Sequence, residues 1–448
     1  VNDAPNPPPH PRPLPTTIEE IAPYARDALA CGRLDLAEAA MHVLIVHQPA
    51  SVERWLLQGE VAQAAGCHEL ADRCRAHARA AGAPETRPDA TPNQDVRALT
   101  SASASASAAR SDAASSRALV IREWGAGFWS DVDHVVAGLL LAEATGRTPL
   151  VFWGDQSRFR APNARADDNA WETFFEPVST LTASQATALA RESTPCFPHK
   201  WGDDPLASTT NRWTGDGSRV VPVMMLDRTE RVAVTDFHAP PVCVRHWLAP
   251  DHPAAPSYEP GVADDWRAPY RWAFRERIRV RSEFVRACDE LCARHLSGAP
   301  TAAIHLRATD KVNEVRDQAR HNLTLIEDVS RAMTQRPDLR LFVLTDDAGL
   351  LMQLDLRFPG RVVSTRATRS PGSTALHFTP GADGRALGAE VLLDTLIAAR
   401  CERFWGSLGS NVACMVLHIG DLPRDRITLV GPCIQTINPL PMLLRAAP

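Results

Sequence analysis

Between Thr301 and Val315 an apolar run of strand length, Ala302 to Leu306, passes directly into a stretch dense in charge, Arg307 to Glu314. Gly298-Ala299-Pro300 punctuates the chain just before it, as a turn does. A strand that runs into Arg, Thr, Asp, Lys and Glu points to an α/β domain with a site at the strand's carboxyl end, where ligands of such sheets bind. Arg307 offers a planar fork of donors suited to a phosphate, Lys311 adds a point charge, and Glu314 is a carboxylate able to accept a proton. By residue type alone, a solvated loop with a salt bridge fits as well.

The downstream pattern supports the α/β reading. A helix is expected over Thr324–Thr334 and a strand over Leu341–Leu344 that ends in Thr345-Asp346-Asp347. A helix over Gly349–Phe358, a strand over Arg361–Ser364 and a helix over Leu387–Ala399, carrying Glu390 and Asp394, follow. Arg403–Trp405 reads as a strand, and Gly406 to Asn411 turns into an apolar helix, Val412–Ile419. Repeated strand-loop-helix alternation marks a parallel, doubly wound sheet. Free N–H groups at the start of the last helix favour an anion at Gly409-Ser410, with an ordinary capped helix as the plain alternative.

A similar unit begins at Ala118. Ala118–Ile121 reads as a strand, Gly125-Ala126-Gly127-Phe128 as a loop, Val132–Thr145 as a helix and Pro149–Trp153 as a second strand. Ser130 stands where a dinucleotide fingerprint needs its third glycine, so no dinucleotide site is assigned. Asp131-Val132-Asp133 is formally a metal-binding Asp-x-Asp, but it enters a helix, where residues two apart point away from each other. It reads instead as helix N-terminal acid. Val220–Met225 and Val232–Val234 are candidate strands, and Tyr270–His295 is expected to be one long basic helix.

Residues 18–83 repeat with a period of 34: Ile21 aligns with Trp55, Ala25 with Gly59, Gly32 with Gly66 and Leu36 with Leu70. That period resembles the tetratricopeptide repeat, with a plain helical hairpin as the alternative. Two units are few for independent stability, so docking on the rest of the chain or on a second copy is expected. A proline-rich leader, 1–17, and a Ser-Ala linker, 84–117, flank the repeat and carry no apolar period to bury. The expected domains are then 118–298 and 299–448.

At 448 residues and a net charge of −5, with acids and bases mixed, nothing points to a nucleic-acid surface or a polybasic membrane patch. No apolar run reaches the roughly 18 residues a membrane span requires. The ten cysteines include no Cys-x-x-Cys pair, and Cys288, Cys292 and His295 fit a half-buried helix face better than a metal site. A reducing, cytoplasmic compartment is expected, and the Ala- and Arg-rich composition suggests a bacterial source.

The segment His305-Leu306-Arg307-Ala308-Thr309-Asp310-Lys311 resembles the His-x-Arg-x-Thr-Asp-Lys motif of the α-1,6-fucosyltransferase family. Gly125-Ala126-Gly127-Phe128, Trp153-Gly154, Phe174 to Pro177 and Phe197 to Trp201 are similar to segments of that family as well. Ala308 departs from it, standing where a second Arg occurs. The resemblance implies a GT-B fold of two Rossmann-like domains, here preceded by the small all-α tetratricopeptide-like domain. It implies an inverting enzyme that uses GDP-fucose as donor and needs no metal. Donor contacts fall on His305, Arg307, Asp346, Asp347, Asp394 and Ser410, with Asp394 on guanine and Ser410 on phosphate. Arg307 and Lys311 would stabilise the leaving group and Glu314 would be the base, with Asp310 next in line. The family's Glu lies one residue farther along, at Val315, so Glu314 requires a one-residue deletion in the loop.

A glycan or protein hydroxyl is expected as acceptor, and residues 18–83 are expected to offer a surface for a protein partner or self-association. Two alternatives stay open: transfer of another sugar or modification of protein hydroxyls, and a repeat scaffold with a decayed GDP-binding domain.

Overall fold

The computed structural model describes residues 15–48, 51–83, 117–165, 167–192, 194–207, 222–226, 228–235, 239–257, 265–309, 317–370, 376, 379 and 381–436. Most of residues 1–17, nearly all of 84–117, and Asp310, Lys311, Glu314 and Val315 lie outside them.

Four helices come first: α1 (Ile21–Ala30), α2 (Leu34–His47), α3 (Val52–Ala64) and α4 (His68–Ala80). They form two helical hairpins that turn alike. Gly32 and Gly66 occupy equivalent places after α1 and α3 with φ of 71° and 86°, a conformation only glycine adopts without strain. Equivalent faces of the hairpins meet, so Arg26 donates to Glu60, its counterpart one period on.

This helical unit packs against the rest of the chain. Val223 and Trp247 belong to its apolar core. The buried Glu38 carboxylate accepts the Trp247 indole N–H at 3.3 Å and the Val223 N–H at 3.3 Å. The Gln58 amide donates to the His246 carbonyl at 3.3 Å. Burial, then the neighbouring Arg54 charge, drives the His246 pKa well down, so its ring accepts from the Arg54 guanidinium. The stretch at Val223 was expected as a strand. Its described part, Pro222–Met225, is a 3₁₀ turn whose side chains fill the helical core.

The first sheet contains β1 (Ala118–Arg122), β2 (Thr148–Phe152) and β3 (Val232–Thr235), all parallel in the order β2-β1-β3. Between β1 and β2 runs α5 (Phe128–Thr145), starting four residues before the expected helix and closed by Gly146 in the left-handed region. Short helices α6 (Trp171–Phe174), α7 (Ala183–Arg191) and α8 (Pro241–Val244) complete this part.

The expected long basic helix is two helices, α9 (Ala268–Glu276) and α10 (Ser282–His295). The alternating Ile278-Arg279-Val280-Arg281 between them buries Ile278 and pairs its backbone with 174–176 instead: Glu176 N–H donates to Arg279 O at 2.8 Å, and Arg281 N–H to Phe174 O at 3.0 Å. Extended pairing overrides the local helical pattern there.

The second sheet is β4 (Thr301–Leu306), β5 (Arg340–Thr345), β6 (Val362–Val363), β7 (Arg403–Ser407) and β8 (Ile427–Val430), parallel throughout in the order β6-β5-β4-β7-β8. Helices α11 (Gln318–Gln335), α12 (Ala348–Arg357), α13 (Gly384–Ala398) and α14 (Asn411–Ile419) connect the strands. Numbered within this domain the order is 3-2-1-4-5, the doubly wound arrangement, and the direction of winding reverses between β4 and β7. Alternation splits β4 between two cores. Ile304 and Leu306 face the α11 and α12 side, whereas Ala303 faces the core shared with α5, α13 and α14. His305 and Arg307 take the register of Ala303.

The α/β units join along that second face. Trp129 of α5 donates its indole N–H to Thr395 of α13 at 2.8 Å. A Cβ on Gly388 would lie 2.6 Å from Phe174, and one on Gly384 only 2.1 Å from the Arg158 carbonyl oxygen, so both positions require glycine for close contact. Among the described residues no helix is long and apolar enough to cross a membrane, and none of the ten cysteines is in a disulfide.

The docking of the helical unit predicts that Trp247→Ala costs about 3–5 kcal/mol in chemical denaturation, because a buried aromatic and the partner of Glu38 are lost together. A chain begun at Ala118 should melt at a lower temperature for the same reason. Unchanged melting in both would show that the contact contributes no stability.

Candidate functional site

The winding of the sheet reverses between β4 and β7, and in sheets of this kind the crevice that takes ligands opens at the carboxyl ends of those strands. Two loops meet there. One leaves β4 through Arg307-Ala308-Thr309 and the other leaves β7 through Leu408-Gly409-Ser410.

Asp346, just after β5, organises the first loop. Leu306 pairs with Thr345, which sets Arg307 beside Asp346 across the sheet. Arg307 Nη1 forms an ion pair with Asp346 Oδ2. The Ala308 N–H donates to Asp346 Oδ1 at 3.2 Å and the Thr309 hydroxyl to Oδ2 at 2.6 Å. Thr309 sits at φ 45°, unusual for a β-branched residue, and its hydroxyl bond accompanies that turn. Asp346, expected as a donor contact, therefore acts on the loop itself: it aims Arg307.

Asp347, also expected to touch the donor, is the N-cap of α12 and accepts the Leu350 N–H at 2.8 Å. Its capping role accounts for its place in the sequence. His305 is buried beneath the loop, and its Nδ1 has no hydrogen-bond partner among the described residues. Burial, then the Arg307 charge, lowers its pKa to about 4, so the ring is neutral at neutral pH. Lys311, Asp310 and Glu314 lie outside the described residues.

In the second loop Ser410 is the N-cap of α14, with extended φ of −126° and ψ of 128° and no capping bond from its side chain. The first amides of α14 thus receive no side-chain cap from Ser410, and the dipole at this end favours an anion. A Cβ on Gly406 would lie 2.7 Å from the Phe404 ring and 3.0 Å from Ala413 Cβ, so glycine lets α14 approach the sheet.

Asp394 lies on α13, one residue before the Thr395 that Trp129 holds. Its carboxylate accepts the Thr365 hydroxyl at 2.6 Å and is 8% exposed. Burial raises its pKa to about 6, against the smaller opposing effects of Thr365 and Arg369. Glu390, one turn back, accepts the Thr368 N–H at 2.9 Å and its hydroxyl at 3.1 Å. A nearly buried carboxylate with a raised pKa suits a ligand bearing N–H donors, because those donors stabilise the ionised form.

The two acids of the Asp-x-Asp segment separate. Asp131 accepts the Ala126 N–H at 3.0 Å within the first turn of α5. Asp133 accepts the Tyr270 hydroxyl at 2.6 Å and the Gln435 amide at 3.1 Å, and burial raises its pKa to about 7. Among the described residues no group of three or more His, Cys, Asp or Glu side chains is arranged to hold a metal.

Sequence reasoning missed Thr309 and Thr365 as partners of the acids, and missed Gln318 and Asn322 beneath the crevice. The last two carried a signal: they extend the apolar stripe Leu325, Val329 and Met333 backwards as two polar residues one turn apart.

Asp394 and Asp133 have folded pKa values above their unfolded ones. Their contribution to stability is full below about pH 4 and is lost as pH rises through about 6 and about 7 respectively. Asp394→Asn removes the first term. The variant's melting temperature relative to wild type should therefore be higher at pH 8 than at pH 4.5. An equal difference at both values would show that Asp394 does not titrate in this range.

No protein-family model matches the chain, and no curated protein matches it significantly. Similar solved structures include NodZ α-1,6-fucosyltransferase co-crystallised with GDP, 19% identical, with 68% of this chain and 93% of the other covered and a TM-score of 0.42. POFUT1 in complex with GDP is 14% identical, with 71% and 99% covered and a TM-score of 0.42. Arabidopsis thaliana FUT1 in complex with GDP is 13% identical, with 71% of each chain covered and a TM-score of 0.39.

Proposed function

We propose that the chain is a glycosyltransferase that moves fucose from GDP-fucose to an acceptor hydroxyl of a glycan or glycoconjugate, with inversion. The observation that carries this reading is the pairing of two anion-favouring features at one crevice. Arg307 is held in place by Asp346 at the end of β4, and Ser410 caps α14 at the end of β7 without a side-chain bond. The motif resemblance supplies the donor's identity.

In the reaction the acceptor oxygen attacks the anomeric carbon of fucose from the face opposite GDP. The bond from that carbon to the β-phosphate oxygen breaks, and GDP leaves with the electron pair. Arg307, with Lys311, offsets the negative charge that develops on the leaving group. Because Asp346 already orients the guanidinium, little reorganisation accompanies the charge movement. His305, being neutral, and Ser410 position the pyrophosphate. Asp394 accepts the N1 and N2 donors of guanine. Glu314 takes the acceptor's proton. Basic side chains supply the electrostatic work that a metal does elsewhere, so none is required. Cysteines without disulfides suit a reducing, cytoplasmic location. Residues 18–83 act as a tetratricopeptide-like surface for acceptor choice or a partner.

Labelled GDP-fucose incubated with candidate glycans and lysate proteins tests the reading, and GDP binding with sugar-nucleotide hydrolysis separates an enzyme from a scaffold. Arg307→Ala should cost at least about 3 kcal/mol in transition-state stabilisation while the protein stays folded. Glu314→Gln keeps the shape and removes the base, so transfer should fall about a hundredfold with GDP affinity nearly unchanged. Transfer at the wild-type rate would move the base to Asp310. Turnover should persist in excess EDTA, and a loss restored by manganese or magnesium would contradict the metal-free reading.

A further inference from the structure

A line of buried hydrogen bonds joins the two loops of the crevice from beneath. The Gly409 N–H donates to Ser407 Oγ at 3.2 Å, and the Ser407 hydroxyl donates to Gln318 Oε1 at 3.3 Å. Gln318 Nε2 donates to Asn322 Oδ1 at 3.0 Å, and Asn322 Nδ2 donates to the Arg307 carbonyl oxygen at 2.8 Å. Ser407, Gln318 and Asn322 are 0%, 1% and 6% exposed.

The direction of every link is forced. A carbonyl can only accept, so Asn322 turns its NH₂ to Arg307 and its oxygen to Gln318. Gln318 must then donate to Asn322 and accept from Ser407. The Ser407 oxygen is left to accept from Gly409. All the dipoles therefore run one way, from the β7 turn to the β4 loop, an arrangement in which each bond polarises the next.

Packing alone does not call for this. Farther along α11 the same face is apolar, with Leu325, Val329 and Met333 buried. Apolar residues at 318 and 322 would have spared the desolvation of two amides. What the amides provide is a fixed spacing between the Arg307 loop and the Ser410 turn, since neither end can shift without leaving a buried polar group unpaired.

We propose that Gln318, Asn322 and Ser407 are positioning residues that set the width of the pyrophosphate clamp between Arg307 and the start of α14. This rests on the reading of Arg307 and Ser410 as donor contacts. The three side chains touch neither donor nor acceptor. They act through the Arg307 carbonyl and the Gly409 amide. A displacement of about 1 Å at a reacting centre can cost about a hundredfold in rate, so a spacing device of this kind has measurable consequences.

The test uses the full chain, GDP-fucose with water as acceptor, and GDP binding by calorimetry. Asn322→Leu should lower kcat for GDP release about 30-fold and Ser407→Ala about tenfold, each with GDP Kd changed less than about threefold. Because both break one line, the double variant should fall no further than about 30-fold. Should Asn322→Leu fail to fold, Ser407→Ala, which removes a single oxygen, decides by its split between kcat and Kd. Multiplicative losses of about 300-fold, or unchanged kcat in folded single variants of an active wild type, overturn the positioning role alone. A wild type that neither binds GDP nor releases it from GDP-fucose overturns the functional reading, and this proposal with it.

Discussion

Three donors converge on one carboxylate. Asp346 accepts from the Arg307 guanidinium, the Ala308 N–H and the Thr309 hydroxyl, and these bonds determine the path the chain takes on leaving β4. Hydrogen bonds to a charged group contribute about 1.5–3 kcal/mol each, more than neutral ones. Asp346 itself is placed by the parallel register of β4 on β5, and it is fixed on its far side by Ser370, whose N–H donates to the Asp346 carbonyl at 2.8 Å. Sheet register, loop shape and the aim of a cationic side chain are thus one problem with one solution. The loop leaves a rigid strand, but its geometry is dictated by the neighbouring strand's acid.

The second constraint is the seam between the α/β units. α13 comes close to the first α/β unit because Gly384 and Gly388 carry no side chain where they meet the Arg158 backbone and the Phe174 ring, and Trp129 of α5 adds a bond to Thr395. Asp394 is the adjacent residue on α13. Its position therefore depends on contacts made by the first α/β unit as well as by the second. The helical unit adds a third body fastened through Glu38, Trp247 and Val223. Buried polar groups bridge that interface: Glu38 accepts from Trp247 and Val223, and Gln58 donates to the His246 carbonyl.

Much of this was legible in the sequence. Strand-loop-helix alternation located β4, β5 and β7 and the helices between them to within a few residues, except that α11 begins at Gln318, six residues before the expected Thr324, because its first turn carries polar residues on its buried face. The period of 34 placed both helical hairpins and their glycine turns. Arg307 directly follows β4, Ser410 caps α14 after β7, and Asp394 lies on α13. What escaped was set by tertiary context. Ile278 to Arg281 left the helical pattern because 174–176 offered an extended partner. Pro222–Met225 had the composition of a strand, but its apolar side chains were taken up by the helical unit. Asp346 and Asp347 stand together in sequence and yet serve different elements, one the β4 loop and the other the α12 cap. Strand pairing decides that division, and no local pattern records it.

The central claim is that the crevice between β4 and β7 is built for a guanosine diphosphate. Calorimetric titration of the full chain with GDP and with ADP at pH 7 tests it most directly. The phosphates are the same, so Arg307 and α14 favour both, but only guanine offers adjacent N–H donors to Asp394. GDP binding at least about tenfold tighter than ADP, a difference abolished in Asp394→Asn, is the expected result. Equal affinity for the two nucleotides, or binding of neither, would contradict it.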